Sequence, residues 1–337
     1  MQNLVLFTSN DRDSLLKARK GESKFGEHVQ LIPNLNNIYD DIVNLDVDYV
    51  LFGITEDIGI YANNGNTGAY KAWQATIKVL LNTQSNSFTK AKRVLILGHL
   101  DYTEARKVVK LKASRKNISD ARTIVTTIDK DVTHIVSTII KAGKTPIIIG
   151  GGHNNAYGNI KGASLANKGK INVVNFDAHS DFRAEEGRHS GNGFSYAYTE
   201  GFLKNYFMFG LHENYTPDKL FKVLNKNKHL KYVTYEALEV RNQMSFNEAL
   251  TSALNHISEK KFGIEIDCDA IENIPSSAAT PSGFSVKQAR QFTHYFGKHE
   301  KASYLHICEA APTKKTETKV GKLITYLITD FIRANGN

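Results

Sequence analysis

Short, almost wholly apolar runs recur along the chain at residues 49–54, 93–97, 145–149, 171–176, 206–210, 262–266 and 303–307. They are rich in β-branched residues and carry no polar alternation, so each reads as a strand buried on both faces. Between them lie segments in which apolar residues are spaced three and four apart. In residues 121–141, Ile124, Ile128, Val132, Ile135 and Ile139 form one stripe, and residues 245–258, 286–295 and 319–332 repeat the pattern. Strands alternating with amphipathic helices predict a three-layer α/β/α fold with a mostly parallel central sheet. In such sheets ligands bind beyond the carboxyl ends of strands, so the residues that follow each apolar run are the first candidates for chemistry.

Composition narrows this reading. With 337 residues, 41% hydrophobic and 23% charged, the chain can bury a large core, and one domain over residues 1–337 is the economical organisation, with 1–46 as an N-terminal extension of it. No apolar run approaches the ~20 residues that span a bilayer, so no membrane partner is expected. Only Cys268 and Cys308 occur, and residues 1–7 lack the charged start of a secretory signal, which predicts a cytoplasmic protein with free thiols. The net charge of +9 comes from lysines scattered along the chain, such as Lys90, Lys222 and Lys314, without interleaved aromatics. That pattern predicts solvated faces and no nucleic-acid partner.

Three strand ends carry ligand-type side chains. The run 171–176 leads into Asp177-Ala178-His179-Ser180-Asp181, where residues two apart on an extended chain would face the same way. The run 262–266 leads into Asp267-Cys268-Asp269, and the two strands are expected to be neighbours. The run 145–149 leads into Gly150-Gly151-Gly152-His153, a glycine turn that brings His153 against the other ends. Four carboxylates packed together would repel one another and resist ionisation unless cations were present. Two imidazoles and four carboxylates suit a pair of borderline-hard ions such as Mn²⁺ better than a thiolate zinc site.

In order and approximate spacing, these motifs together with Asp267-Cys268-Asp269-Ala270-Ile271 and Glu309-Ala310-Ala311-Pro312 resemble the ureohydrolase, or arginase-like, family, and within it the formimidoylglutamases most. The resemblance runs from about Val47 to the C-terminus. It implies an arginase-type fold, a homo-oligomer and two Mn²⁺ per chain. One ion would be held by His153, Asp177, Asp181 and Asp267, the other by Asp177, His179, Asp267 and Asp269. In such pairs the metals share a hydroxide that attacks the substrate carbon. The resemblance further implies that Asp181 passes a proton to the departing nitrogen and that Glu309 orients the cationic end of the substrate.

Substrate choice rests on the loop that follows. Arginases carry a Ser-Gly-Asn stretch similar to Ser190-Gly191-Asn192, then a proton-shuttling histidine, whereas this chain has Phe194, as formimidoylglutamases do. Arg183, two residues beyond Asp181, also matches that group, and a guanidinium fork suits a carboxylate. Arg183 or Arg188 is thus expected to bind a carboxylate of N-formimidoyl-L-glutamate, an intermediate of histidine degradation, with Ser190 and Asn192 adding hydrogen bonds. His189 stands either as a shifted proton shuttle or as a solvated loop residue. Three departures bear on substrate choice: Asn154 stands where formimidoylglutamases have glutamate, Ser190-Gly191-Asn192-Gly193-Phe194 replaces their Ser-Gly-Thr-Pro-Phe, and Asn66 stands where arginine is frequent. The alternatives are a guanidino-compound hydrolase that releases urea and a catalytically silent family member.

Overall fold

The computed structural model describes residues 3–34, 36–110 and 115–334, so the first two residues of the N-terminal segment read above lie outside it. Among the described residues nine strands form one sheet: β1 (Leu4–Leu6), β2 (Tyr49–Thr55), β3 (Val94–Asp101), β4 (Thr145–Ile149), β5 (Ile171–Phe176), β6 (Leu203–Leu211), β7 (Leu230–Thr234), β8 (Phe262–Asp267) and β9 (Ala302–Cys308). Their order is β1-β3-β2-β4-β9-β8-β5-β6-β7, and every pair is parallel except β1 with β3. Helices cover both faces, as the unbroken apolar strands require. No described helix is long and apolar enough to cross a membrane.

Alternate strand residues feed two cores. Tyr49, Leu51, Ile147, Ile149, Val174 and Phe176 pack with the helices Ala72–Leu80, Phe246–Ile257, Val286–Gly297 and Glu317–Ala334. Val50, Phe52, Ile148 and Val173 pack on the opposite face with the helices Arg115–Lys141 and Asn155–Ala166. A slip of one residue in any central strand would exchange the two sets, so the register is strongly specified.

The helix that follows His153 is fixed closely. Gly158 and Gly162 lie against Arg115–Lys141, where a Cβ would come within 2.7 Å of Val132 Cβ and of the Thr133 carbonyl respectively. Only glycine permits that approach, which anchors the Asn155–Ala166 helix and the turn that feeds it. The strands whose ends were singled out, β4, β8 and β5, are joined by β9 as four consecutive members of the sheet. The expected pairing of β5 with β8 is present, with Asn175 opposite Glu265 and Phe176 opposite Ile266.

Candidate metal centre

At the end of β4 the chain turns through Gly150 and Gly151 at φ +86° and +74°, the left-handed region that glycine enters without a steric penalty. The turn closes on Glu56, buried just beyond β2. Its Oε1 accepts from the Gly152 amide at 3.0 Å, Asn154 Nδ2 at 3.2 Å and Asn155 Nδ2 at 2.7 Å, and its Oε2 accepts from the Ile58 and Gly59 amides. These donors offset part of the cost of burying a carboxylate, yet burial still raises its pKa.

The ends of β5 and β8 are built alike. Asp177 Oδ1 accepts the His179 amide at 2.7 Å, and Asp267 Oδ1 accepts the Asp269 amide at 2.8 Å, so each aspartate curls the chain into a tight side-chain-capped turn. Simple strand alternation is therefore not what gathers these residues. β5 stops at Phe176, Asp181 is at φ +44°, and Asp269 lies in the single turn Cys268–Ala270. The ligand-type side chains do converge, but through these turns.

Three groups of potential ligand atoms result, each mutually within 4.8 Å: His153, Asp177, Asp181 and Asp267; Asp177, His179 and Asp269; and His153, His306 and Cys308. The first two carry the aspartates and share Asp177, while Asp267 falls in the first alone. His153 Nδ1 lies 2.9 Å from Asp181 Oδ2, 3.1 Å from Asp267 Oδ2 and 3.3 Å from Asp177 Oδ2. His179 Nδ1 lies 3.1 Å from Asp269 Oδ2 and 3.6 Å from Asp177 Oδ1. Although buried, both ring nitrogens of His153 and Asp269 Oδ1 have no hydrogen-bond partner. An unpartnered ligand atom in each group, aimed into a knot of carboxylates, is what a cation site requires.

The electrostatics express the same demand for positive charge. Burial, joined by the charges of Asp269 and Asp177, drives Asp267 well up. Burial and Asp177 push Asp181 up to about 6. Burial would raise Asp177 too, but the His153 and His179 imidazoles, 3.3 and 3.6 Å away, hold it below the ordinary carboxylate range. Both imidazoles are driven upward against their burial, His153 by Cys308 and the surrounding aspartates and His179 by Asp269 and Asp177. Divalent cations would satisfy that demand without protonating the ligands.

Behind the cluster lies a network that the motif reading missed. Glu265, buried two residues before Asp267, has Oε2 3.6 Å from His153 Nε2 and 2.5 Å from His306 Nδ1, while Tyr304 donates to its Oε1 at 2.8 Å. A glutamate and a histidine inside otherwise apolar strands were the available signal, since such residues are rarely buried without a role.

A cavity of about 900 Å³ opens over the centre. Its lining includes His179, Asp181, Asp267, Asp269, Glu309, Asn63, Arg183, Ser190 and Tyr215. Glu309 holds its position at φ +62°, with Oε1 accepting the His153 amide at 2.9 Å. Non-glycine residues at positive φ persist where the surroundings over-determine them, and both Asp181 and Glu309 are such cases. Arg183 Nη1 donates to Asn63 Oδ1 at 2.7 Å and Asn63 Nδ2 donates to Ser190 Oγ at 3.2 Å, so Asn63, outside the expected set, ties two substrate candidates together.

Four other candidates lie elsewhere. Arg188 is buried, forked onto Asp129 at 2.9 and 3.3 Å, bonded to Asn192 Oδ1 and the Asn154 carbonyl, and packed against the Tyr157 and Tyr196 rings. Its donors are spent within the protein, which corrects the expectation that it binds a substrate carboxylate. Asn192 is likewise consumed: its amide donates to the Ala184 and Gly187 carbonyls, and its Oδ1 accepts from Arg188 and the His189 amide. His189 is neither solvated nor lining the cavity. It is buried, its Nδ1 accepts the Gly191 amide at 3.1 Å, and burial with the nearby arginines pushes it down to about 4. Phe194 stacks on Tyr206 at 4.4 Å and sets its ring edge-on to His153 at 5.1 Å, supporting the imidazole rather than meeting the cavity.

Residues 47–332 match the sequence profile of the arginase family. A formimidoylglutamase of Streptococcus gordonii is 28% identical over 247 residues, which is 70% of this chain and 68% of its own. Among solved structures, formimidoylglutamase from Bacillus subtilis covers 95% of each chain with a TM-score of 0.73 at 14% identity. Trypanosoma cruzi formiminoglutamase, solved with a pair of Mn²⁺ ions, covers 88% of this chain and 99% of its own with a TM-score of 0.68 at 20% identity. At these identities the structural likeness speaks to the fold.

Proposed function

The chain belongs to the arginase family, and on that footing we propose that it hydrolyses N-formimidoyl-L-glutamate to L-glutamate and formamide, a step of histidine degradation, using two Mn²⁺ ions. It is a hydrolase of amidino or guanidino C–N bonds; the substrate and the metal pair are the proposal. The observation that carries it is the presence of two largely buried His/Asp groups that share Asp177 at the ends of β4, β5 and β8.

His153, Asp177, Asp181 and Asp267 would hold one ion, and Asp177, His179 and Asp269 the other. Bound there, the pair would supply a hydroxide nucleophile near neutral pH and offset charge that develops on the substrate. Glu309 faces the cavity, where its carboxylate can accept hydrogen bonds from the amidinium nitrogens and set the planar carbon above the centre. Asp181 is placed to take the proton released on attack and return it to the glutamate nitrogen as the C–N bond breaks, which leaves formamide and a neutral amine. Arg183, steadied by Asn63, offers its free donors to a substrate carboxylate, and Ser190 stands beside it.

We read the protein as a homo-oligomer of the cytoplasm, built as one domain over residues 1–337. Buried free thiols at Cys268 and Cys308 support the cytoplasmic reading, and the pairing of β1 with β3 and the burial of Phe25 within residues 1–46 support the single domain. To test the function, Mn²⁺-loaded protein is incubated separately with N-formimidoyl-L-glutamate, agmatine, a guanidino acid and arginine. Formamide and glutamate from the first are expected. Urea from any of the others would reassign it as a guanidino hydrolase, and no product from a metal-replete protein would make it a silent member.

A further inference from the structure

The two histidines of the centre are supported in different ways. His153 is fully buried, set edge-on to Phe194 at 5.1 Å, with the Glu265 carboxylate 3.6 Å from its Nε2, an electrostatic neighbour rather than a hydrogen-bond acceptor. Metal-binding histidines almost always donate their second ring N–H to a hydrogen-bond partner. His179 has none: its side chain is 30% exposed at the cavity, and its Nε2 makes no hydrogen bond to any described residue.

A column of stacked rings takes that place. Tyr215 lies over the His179 imidazole with centroids 5.2 Å apart and planes within 12°. His212 stacks with Tyr215 at 5.1 Å and 4°, and Tyr235 stacks on His212 at 4.7 Å and 18°. The far end is anchored, since Tyr235 donates to the Gly283 carbonyl at 3.2 Å and meets the buried Phe284 ring edge-on. The middle is anchored too, because the His212 amide donates to the Ala178 carbonyl at 2.9 Å, on the residue next to His179. Spacings of 4.5–7 Å are those at which aromatic pairs attract beyond simple burial. Tyr215 is carried on the turn Glu213–Tyr215, which Arg241 and Thr234 hold through Glu213.

Resting on the two-ion reading above, we propose that Tyr215 is a positioning residue for the ion shared by Asp177, His179 and Asp269: its ring, backed by His212 and Tyr235, sets the plane of the His179 imidazole in place of a hydrogen bond. The two ions then depend on different supports, a carboxylate for the His153 side and a ring stack for the His179 side. Substitution of Tyr215 should therefore weaken one ion and leave the other.

The test is a calorimetric titration of the metal-stripped protein with Mn²⁺, with the spin-coupled manganese-pair signal followed by electron paramagnetic resonance. Tyr215→Phe keeps the stack and should titrate as the wild type. Tyr215→Leu should weaken one of the two binding steps by roughly threefold to tenfold, delaying the pair signal to higher Mn²⁺, with the other step unchanged. Tyr235→Leu, at the far end of the column, should give a smaller shift in the same step. Unchanged titration of Tyr215→Leu, or an equal shift of both steps, would overturn the inference and leave the proposed function standing. A wild type that binds fewer than two ions would overturn both.

Discussion

Glu265 Oε2 lies 3.6 Å from Nε2 of His153, on the ring edge opposite Nδ1, which Asp181 Oδ2 approaches to 2.9 Å. The imidazole is thus set between a carboxylate whose charge favours a proton on the Nε2 edge, though at 3.6 Å it makes no hydrogen bond, and the cluster that Nδ1 faces. With Nε2 protonated, the Nδ1 lone pair would be free for a metal ion.

Glu265→Gln keeps the shape and removes the charge. Mn²⁺ affinity should fall by roughly 10- to 100-fold, as for other partners that orient ligand histidines. A calorimetric titration checks this, and circular dichroism should show the fold retained, since Tyr304 and His306 still have an amide to bond.

The two arginines of the substrate loop should separate cleanly. Arg183→Ala, at the cavity, should raise KM about tenfold or more while metal content and melting temperature stay at wild-type values. Asn63→Ala should move KM in the same direction by less, because it removes only the contact that steadies Arg183. Steady-state kinetics with parallel metal analysis decides it.

Arg188→Met should instead destabilise the protein by about 3 kcal/mol, since it leaves Asp129 buried without its partner. Urea unfolding should show a lower midpoint. The loop carrying Arg183 would lose its tie through Asn192, so KM should rise as a secondary effect.

Much of this was legible in the chain because burial on both faces leaves an unbroken apolar signature. Residues 145–149 and 171–176 are strands with the predicted bounds. The edge strands escaped that signature: Leu4–Leu6 is three residues long, and Leu230–Thr234 is interrupted by the exposed Lys231. The ligand-type residues were legible from their place after strands, but the turns that gather them depend on side-chain to backbone bonds at Asp177 and Asp267 that spacing does not reveal. Arg188 and Arg183 look alike in sequence. Only the tertiary position of Asp129, far along another helix, decides that one is buried and the other faces the cavity.

The depressed pKa of His189, about 4 against an ordinary 6.5, carries a sign. Between those values the unfolded chain takes up a proton that the folded loop refuses. The stability this group contributes above pH 6.5 is therefore lost progressively as pH falls to about 4. His189→Asn, whose Oδ1 can still accept the Gly191 amide, should show a shallower fall in melting temperature across that window. Both proteins are compared in chelator so that metal release does not contribute, and parallel curves would contradict the assignment.

The metal pair itself is tested most directly at Asp177, the one side chain common to both ligand groups. Manganese per chain and turnover of N-formimidoyl-L-glutamate are measured together for the wild type and Asp177→Asn after stripping and reloading. The wild type should hold two ions and release formamide, while the variant should lose both metal and rate. If Asp177→Asn kept two manganese ions and wild-type turnover, the shared-ligand centre would be wrong.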